Sequence, residues 1–294
     1  EILMSLFRLM SFFNINIDIV GPECLVPNLS FELKFYGTIF FPVVVFACMA
    51  VVGICISVSS SACPCIFRGR GARQRGKHML SKLVGTFLLI LYFAYLMVTR
   101  RALDVFNCNP TKPSDGYLYA SFTSLECAGG LCRCYYPGHV QARLVAPAAI
   151  AALIYGLGFP LGVLSIIRKN KTKIKLDQIL RALGTGDDER SNPEAIHTRR
   201  RYRMMYYHFK PGKIYWIVYI LARKLGIATA GLLFRANPGF QMACILLVMF
   251  VSYVWQVKHQ PYMSTAGRKE VVAEHRAKAA SGNALHSRIA KWVE

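Results

Sequence analysis

Five long apolar segments, separated by polar connections, dominate the pattern of the chain. Runs of about 18 or more apolar residues are typical of transmembrane helices, because the hydrocarbon core of a bilayer is about 30 Å thick. We therefore predict an all-α protein, a polytopic transmembrane helical bundle. The predicted spans are about Phe35–Ser57, Leu83–Thr99, Leu144–Ile167, Ile214–Phe234 and Phe240–Val257. Residues 1–13 are predicted to be either the end of a sixth helix or an interfacial helix.

Lysine and arginine are distributed unevenly between the two sets of connections. Twenty-six of the 36 lie between the first and second spans, between the third and fourth, or in the C-terminal tail, and eight lie on the opposite side. The face with more cations is normally cytoplasmic, so we predict an extracellular N-terminal end and a cytoplasmic C-terminus. We expect the net charge of +21 to attract anionic lipids of the inner leaflet, and we predict no nucleic-acid partner.

These patterns divide the chain into three parts. Residues 1–34 form the N-terminal helix end and an extracellular segment, residues 35–262 the bundle, and residues 263–294 a cytoplasmic tail. Within the bundle, the extracellular loop 100–142 carries cysteines and the cytoplasmic loop 168–213 is basic. Because Glu1 already lies within a helical pattern, we expect longer upstream sequence, which would also supply the targeting signal.

Five of the ten cysteines fall on the predicted extracellular side. They are Cys24, Cys108, Cys127, Cys132 and Cys134. The loop that holds most of them is rich in glycine, serine and proline, so we expect disulfide bonds to keep it compact. We favour a Cys108–Cys127 pair and a second bond from Cys24 to Cys132 or Cys134, with free thiols as the alternative. Asn28 begins an Asn-Leu-Ser sequon and is a candidate glycosylation site on the same side.

Cys63 and Cys65 lie at the inner end of the first span. Two thiols alone make a poor zinc site, which needs four ligands, so palmitoylation is the better interpretation. Residues Gly71–His78 have the glycine and lysine spacing of a P-loop, but histidine replaces the magnesium-binding serine or threonine, and we interpret them as a solvated basic loop. The sequence shows no nucleophile–base arrangement and no metal-ligand spacing of histidines. We therefore predict no enzymatic activity, no cofactor and no metal.

The long cytoplasmic loop contains two basic segments. Apolar and basic residues recur at helical spacing over residues 170–184, which predicts a short amphipathic helix lying on the inner leaflet. Residues 185–194 are polar and predicted to be mobile. The second basic segment mixes tyrosines with four arginines: Arg199, Arg200, Arg201 and Arg203. We predict that these arginines bind lipid headgroups, with a phosphoinositide site as the more specific alternative.

Arg223 and Lys224 lie near the middle of the fourth span. A central charge costs about 2.5–3.5 kcal/mol to insert, so each cation is expected to need a partner. The predicted spans contain no acidic residue, which leaves carbonyls freed by a kink at Pro160, a water-filled cavity, or an acid of another chain. A tilted or broken helix that reaches lipid phosphate is the alternative. Pro160 itself either packs with the glycines around it or acts as a hinge.

Several segments of the chain resemble a known family. In order, they are "SFFNINIDIVGPEC", "DGYLYASFTSLEC", "YGLGFPLGVL", "YHFKPGKIYWIVYILARKLGIATAGLLF" and "KHQPYM". Together they resemble the transient receptor potential-like membrane module of large algal, ciliate and oomycete cell-surface proteins, over most of residues 11–263. The resemblance implies a fold related to polycystin channels below a long extracellular region. The family pattern has acidic residues before the Arg–Lys pair, where this chain has Ile217 and Ile220.

The connection between the last two spans bears on function. Channels of that class place a pore helix and a filter there, and Arg235–Gly239 is too short for both. We therefore favour a membrane-anchoring module of a larger cell-surface glycoprotein, in the plasma membrane or the ciliary membrane. An ion channel or mechanosensory subunit is the first alternative, and a receptor-like signalling protein the second. The expected partners are membrane lipids and, outside the cell, a protein partner or the chain's own ectodomain.

Overall fold

A computed structural model describes most of the chain. It covers residues 30–62, 71–110, 116–120, 133–137, 139–189, 191–234, 237–284, 287 and 289, with backbone alone for 56–62 and 71–79. Within these residues, five helical segments are long and apolar enough to cross a membrane: Phe31–Cys55, Leu80–Asp104, Val140–Lys169, Trp216–Leu233 and Pro238–His259. Each overlaps a predicted span, so the predicted all-α polytopic helical bundle is confirmed. The N-terminal helix expected over residues 1–13 lies outside the described residues.

The first half of the chain forms two long helices, a small sheet and an interrupted helix. The helices are α1 (Phe31–Ala62) and α2 (Gly71–Asp104), and the antiparallel strands are β1 (Cys108–Pro110) and β2 (Leu118–Ala120). The third membrane segment consists of α3 (Val140–Ala151), a π-helix (Ala152–Gly158) and α4 (Phe159–Lys169). Because α2 begins at Gly71, the segment interpreted as a basic loop is helical instead. Its alanine, arginines, glutamine and lysine are good helix formers, and it contains no proline.

The second half of the chain is also helical. Its elements are α5 (Lys171–Leu183), α6 (Ile196–Tyr206), a 3₁₀ turn (Pro211–Lys213), α7 (Trp216–Leu233), α8 (Pro238–His259) and α9 (Thr265–Ala280). Only four residues separate α7 from α8. The two helices form a close hairpin, in which the Gln241 side chain donates a hydrogen bond to the Gly231 carbonyl at 3.3 Å. The rings of Phe234 and Phe240 meet edge to face, 4.7 Å apart.

The described residues form two compact units, each with its own apolar core. The first unit comprises residues up to Phe46, Ile90–Phe159 and Arg223–Phe250. Many of its core residues are alanine or valine, and such small side chains let membrane helices approach closely. The buried core residues are Phe35, Ile39, Ala94, Val98, Ala102, Val105, Leu144, Ala148 and Ala151.

The second unit comprises Ala47–Leu89, Pro160–Ala222 and residues from Val251 onward. Its core cluster contains one face of α5 together with Ala195 and Ile289. The helix predicted over residues 170–184 is therefore confirmed, but its apolar face packs in this protein core and not on the inner leaflet as expected. Ile174 and Leu180 are fully buried by protein, so α5 does not offer its apolar face to lipid.

One disulfide bond is present among the described residues, and it differs from the pair we expected. Cys108 bonds to Cys134. The strand pairing explains this choice, because β1 pairs with β2, and Tyr119 of β2 bridges to Arg133, which brings the residue after Arg133 to β1. The predicted Cys108–Cys127 pair is wrong, and Cys134 is not the partner of Cys24. The other candidates lie outside the described residues: Cys24, Cys127, Cys132, Asn28, Cys63 and Cys65.

A histidine caps the start of α3. The His139 Nδ1 atom accepts a hydrogen bond from the Gln141 amide at 3.3 Å. The Gln141 side chain forms hydrogen bonds to two neighbouring segments. It accepts one from the Tyr135 amide at 2.8 Å and donates one to the Val105 carbonyl at 3.2 Å. The cap therefore stabilises both α3 and the loop that precedes it.

Acidification is expected to weaken this cap. Burial and the nearby Arg143 lower the pKa of His139 below its ordinary value. The cap therefore contributes its stability above the ordinary histidine pKa of about 6.5 and loses it as the pH falls below that value. Asparagine caps helices without titrating, so His139→Asn is the test. In detergent, we expect the free energy of unfolding to fall between about pH 7 and pH 5 by about 1 kcal/mol more in the natural protein than in this variant. Parallel pH profiles for the two proteins would contradict this role.

Candidate functional site

Lys224 of α7 is held by Tyr92 of α2. Its Nζ atom donates a hydrogen bond to the Tyr92 carbonyl at 3.2 Å and lies 3.8 Å from the centroid of the Tyr92 ring. A helical carbonyl has two lone pairs, so it accepts this bond in addition to the one within its own helix. The aromatic face adds a cation–π interaction, which is strongest where water is excluded. One residue of α2 thus supplies both the acceptor and the ring.

The two adjacent cations of α7 have different surroundings. Lys224 lies eight residues from the start of α7, or about 12 Å at 1.5 Å per residue, which places it near the middle of this segment. Among the described residues, no carboxylate forms an ion pair with Arg223 or Lys224. The Arg223 side chain is half-buried and makes no hydrogen bond to a described residue. Of the partners we considered, the structure thus provides a carbonyl to Lys224, but from Tyr92 and not from the Pro160 kink.

The carbonyl that Pro160 leaves without its usual helical donor is bonded by another side chain. Proline has no amide hydrogen to donate and its ring crowds the carbonyl four residues earlier, which here belongs to Gly156. The Tyr95 hydroxyl donates to that carbonyl at 3.0 Å. The helix widens over Ala152–Gly158, so that the Phe159 amide donates to Ile154, five residues earlier. Pro160, our candidate hinge, is the second residue of α4.

The π-helix also contacts the first two membrane helices of its unit. The Tyr155 hydroxyl donates to the Ile39 carbonyl of α1 at 3.1 Å. Gly156 lies close to α2, where an added Cβ would be 3.7 Å from the Thr99 Cγ2 atom. The Thr99 hydroxyl is buried and has no hydrogen-bond partner among the described residues. This segment therefore brings unusual backbone geometry and polar groups together within the membrane.

A second cluster of polar side chains surrounds a buried carboxylate in the other unit. Asp177 of α5 is completely buried. It accepts hydrogen bonds from the Tyr206 hydroxyl at 2.9 Å and from the Asn192 amide at 2.8 Å, and Arg199 lies 3.8 Å away. Burial raises the pKa of Asp177, against the opposing effects of Arg199 and both hydrogen bonds. Burial and the neighbouring carboxylate also raise the pKa of Tyr206, so this hydroxyl remains a donor.

Arg199 connects this carboxylate to the segment between α5 and α6. It donates to the Gly186 carbonyl and forms an ion pair with Asp187 at 2.7 Å. Burial alone would lower the pKa of Arg199, but Asp177 and Asp187 raise it above its ordinary value. Gly186 has φ +94°, and a Cβ there would lie 2.9 Å from Leu180, so no other residue fits. The segment that we expected to be mobile is thus fixed by buried hydrogen bonds.

The four arginines predicted to bind headgroups occupy different positions. Arg199 is buried and paired within the protein, so its guanidinium is not presented to a lipid surface. Arg200 and Arg201 are half-buried, and Arg203 is exposed. Among the described residues, no group of three or more histidine, cysteine or acidic side chains lies close enough together to hold a metal ion.

Sequence reasoning missed Asp177, Tyr92 and Tyr95. One signal for Asp177 was present, because it lies on the apolar face of α5, between Ile174 and Leu180. A carboxylate in that position is rarely left unpaired, since burying a lone charge is costly. In comparisons with known proteins, no family model, no curated protein and no solved structure matches the chain.

Proposed function

We propose that this multi-pass membrane protein serves as the membrane-anchoring module of a larger cell-surface protein. The observation that carries the proposal is the four-residue connection between α7 and α8, closed by the Gln241–Gly231 hydrogen bond. A connection of this length has no room for a pore helix and a filter. The Tyr92–Lys224 contact adds support, because it gives the intramembrane cation an acceptor and an aromatic face from within the protein.

An ion-channel or mechanosensory subunit is the alternative. The π-helix favours it, because π-helices are rare and occur frequently at functional sites. The mid-membrane cations favour it too, since ionisable residues within membrane helices often mark ion pathways. In this alternative, Arg223 and Lys224 would line a conducting or gating path.

Two measurements on the full chain test the anchoring proposal, the first its orientation and the second its difference from a channel. In cells, a reporter fused before Glu1 is expected on the outer surface, and a tag after Glu294 is expected to bind antibody only after permeabilisation. In planar bilayers, the purified chain is expected to give no conductance above that of protein-free membranes. Reproducible currents that change on neutralising Arg223 and Lys224, but not on neutralising the exposed Lys269 of α9, would overturn the anchoring proposal.

A further inference from the structure

Three guanidinium groups surround the ring of Tyr207 at the end of α6. The guanidinium carbons lie 3.9 Å from the ring centroid for Arg181, 5.2 Å for Arg203 and 5.5 Å for Arg199. One cation over an aromatic face is stabilised by the ring. Three like charges around one ring also repel one another, so this arrangement needs compensating negative charge.

The carboxylates in this cluster compensate Arg199 and leave the other arginines unpaired. Asp177 and Asp187 both pair with Arg199. Asp177 also attracts Arg181, but from beyond ion-pair distance. Neither Arg181 nor Arg203 forms an ion pair with a carboxylate in the part of the chain that the structure describes.

A further arginine adds to the excess positive charge. Arg268 of α9 donates through its Nε atom to the Ala182 carbonyl at 2.6 Å and forms no ion pair with a described carboxylate. Burial, together with repulsion from Arg199 and Arg268, lowers the pKa of Arg181. The cluster therefore holds more positive charge than its own acidic residues balance.

Arg181 also carries an unused hydrogen-bond donor. Its Nη1 atom is buried and has no acceptor among the described residues. A buried donor without a partner is costly, and the cost is greater for a charged group. The unpaired charge and the unused donor are independent observations, and both are explained by an anion that binds at Arg181.

The cluster belongs to a segment that packs against the end of a membrane helix. The backbone carbonyls of Arg200 and Arg201 approach Gly85 of α2 so closely that a Cβ there would lie 3.2 Å from the Arg201 oxygen. Gly85 is two residues inside the predicted second span, Leu83–Thr99, and Lys82 directly precedes that span. This part of α6 therefore packs beside the end of that apolar segment, and the end of a membrane span is where headgroups are expected.

We propose that Arg181 and Arg203, with the added charge of Arg268, bind a phosphate monoester. Guanidinium groups match phosphate oxygens with paired hydrogen bonds, and a dianion would balance the excess charge. The source is either the phosphorylated headgroup of an inositol lipid or a soluble phosphate. Arg203 and Arg268 are exposed, so their long side chains can rearrange to admit the anion. The site goes beyond the anchoring function and does not depend on it.

The test uses the full chain in phosphatidylcholine nanodiscs. One preparation contains phosphatidylinositol 4,5-bisphosphate, a second contains a charge-matched fraction of phosphatidylserine, which has no phosphate monoester, and a third is pure phosphatidylcholine with inorganic phosphate or inositol trisphosphate in solution. Binding is read from the unfolding midpoint and from titration with a short-chain inositol lipid. We expect the midpoint to rise with the phosphate monoester and to change little with phosphatidylserine.

Variants assign the effect to the proposed residues. Arg181→Gln and Arg203→Gln are expected to weaken binding by roughly ten- to a hundredfold each, because each removes a charged hydrogen-bond donor. Arg203 is exposed, so its variant is expected to fold even if the Arg181 variant does not. Lys173→Gln is the matched control, because Lys173 is an exposed cation on the same helix, α5.

The outcomes are distinct. A shift that requires Arg203 and a phosphate monoester supports the site, and its appearance with the lipid or with the soluble phosphate identifies the source. An equal shift with phosphatidylserine, or an equal loss in the Lys173 variant, would mean unspecific attraction and would overturn the proposal. The absence of a shift in all three preparations would overturn it as well.

Discussion

Replacing Asp177 with alanine is expected to destabilise the protein by about 3–5 kcal/mol, the range for breaking a buried ion pair from one side. The Arg199 side chain, which is 8% exposed, would keep only Asp187 as a counter-charge. The Tyr206 hydroxyl and the Asn192 amide would each lose an acceptor in a buried site. These losses occur together because the same carboxylate accepts both hydrogen bonds and forms the ion pair. The measurement is reversible unfolding of the purified full chain in detergent or bicelles at neutral pH.

Asp187→Ala is the matched control for this prediction. Asp187 pairs with the same guanidinium at 2.7 Å, but its side chain is 82% exposed. Exposed ion pairs contribute about 0–1 kcal/mol, so we expect the control to cost far less although its ion pair is the shorter one. Equal costs for the two variants would show that burial of the Asp177 carboxylate is not what fixes the segment between α5 and α6.

The membrane segments could be predicted because hydropathy depends on composition along the chain. A helix must be about 20 residues long to cross the bilayer, and each of the five segments meets that requirement from its own sequence. What surrounds a helix cannot be predicted from its own hydropathy. The amphipathic pattern of α5 predicts an apolar face, but lipid and a protein core satisfy such a face equally well. The Asp177 carboxylate on that face was the available signal for protein, since lipid acyl chains offer it no hydrogen-bond donor.

The contacts of the candidate sites depend on tertiary structure. The partner of Cys108 follows from the bridge between Tyr119 and Arg133, and spacing among four nearby cysteines does not specify it. For Lys224, the sequence correctly indicated that a partner was needed. The expected partners were a carbonyl freed by Pro160, a water-filled cavity, an acid of another chain or lipid phosphate, whereas Tyr92 stabilises the cation with an ordinary helical carbonyl and an uncharged ring.

Removing the Tyr92 ring is expected to cost more than removing the lysine that it contacts. Tyr92→Leu would leave the Lys224 ammonium with a carbonyl but without its aromatic face, at a cost of about 2 kcal/mol for a desolvated cation–π contact. Lys224→Met removes the charge together with its need for a partner, so its effect is expected to be near zero or stabilising. In the double variant, most of the cost of Tyr92→Leu should disappear. Reversible unfolding of all four proteins in bicelles gives the coupling energy.

The adjacent cation provides the matched control, because Arg223 lies one residue away on the same helix and makes no hydrogen bond to a described residue. Arg223→Met is therefore expected not to rescue Tyr92→Leu. If Tyr92→Leu cost the same with lysine or methionine at position 224, the ring would serve only as packing for α2. The cation would then need another source of stabilisation, such as water. A hydrated Lys224 is what the channel alternative requires, so a coupling energy near zero would favour that alternative over anchoring.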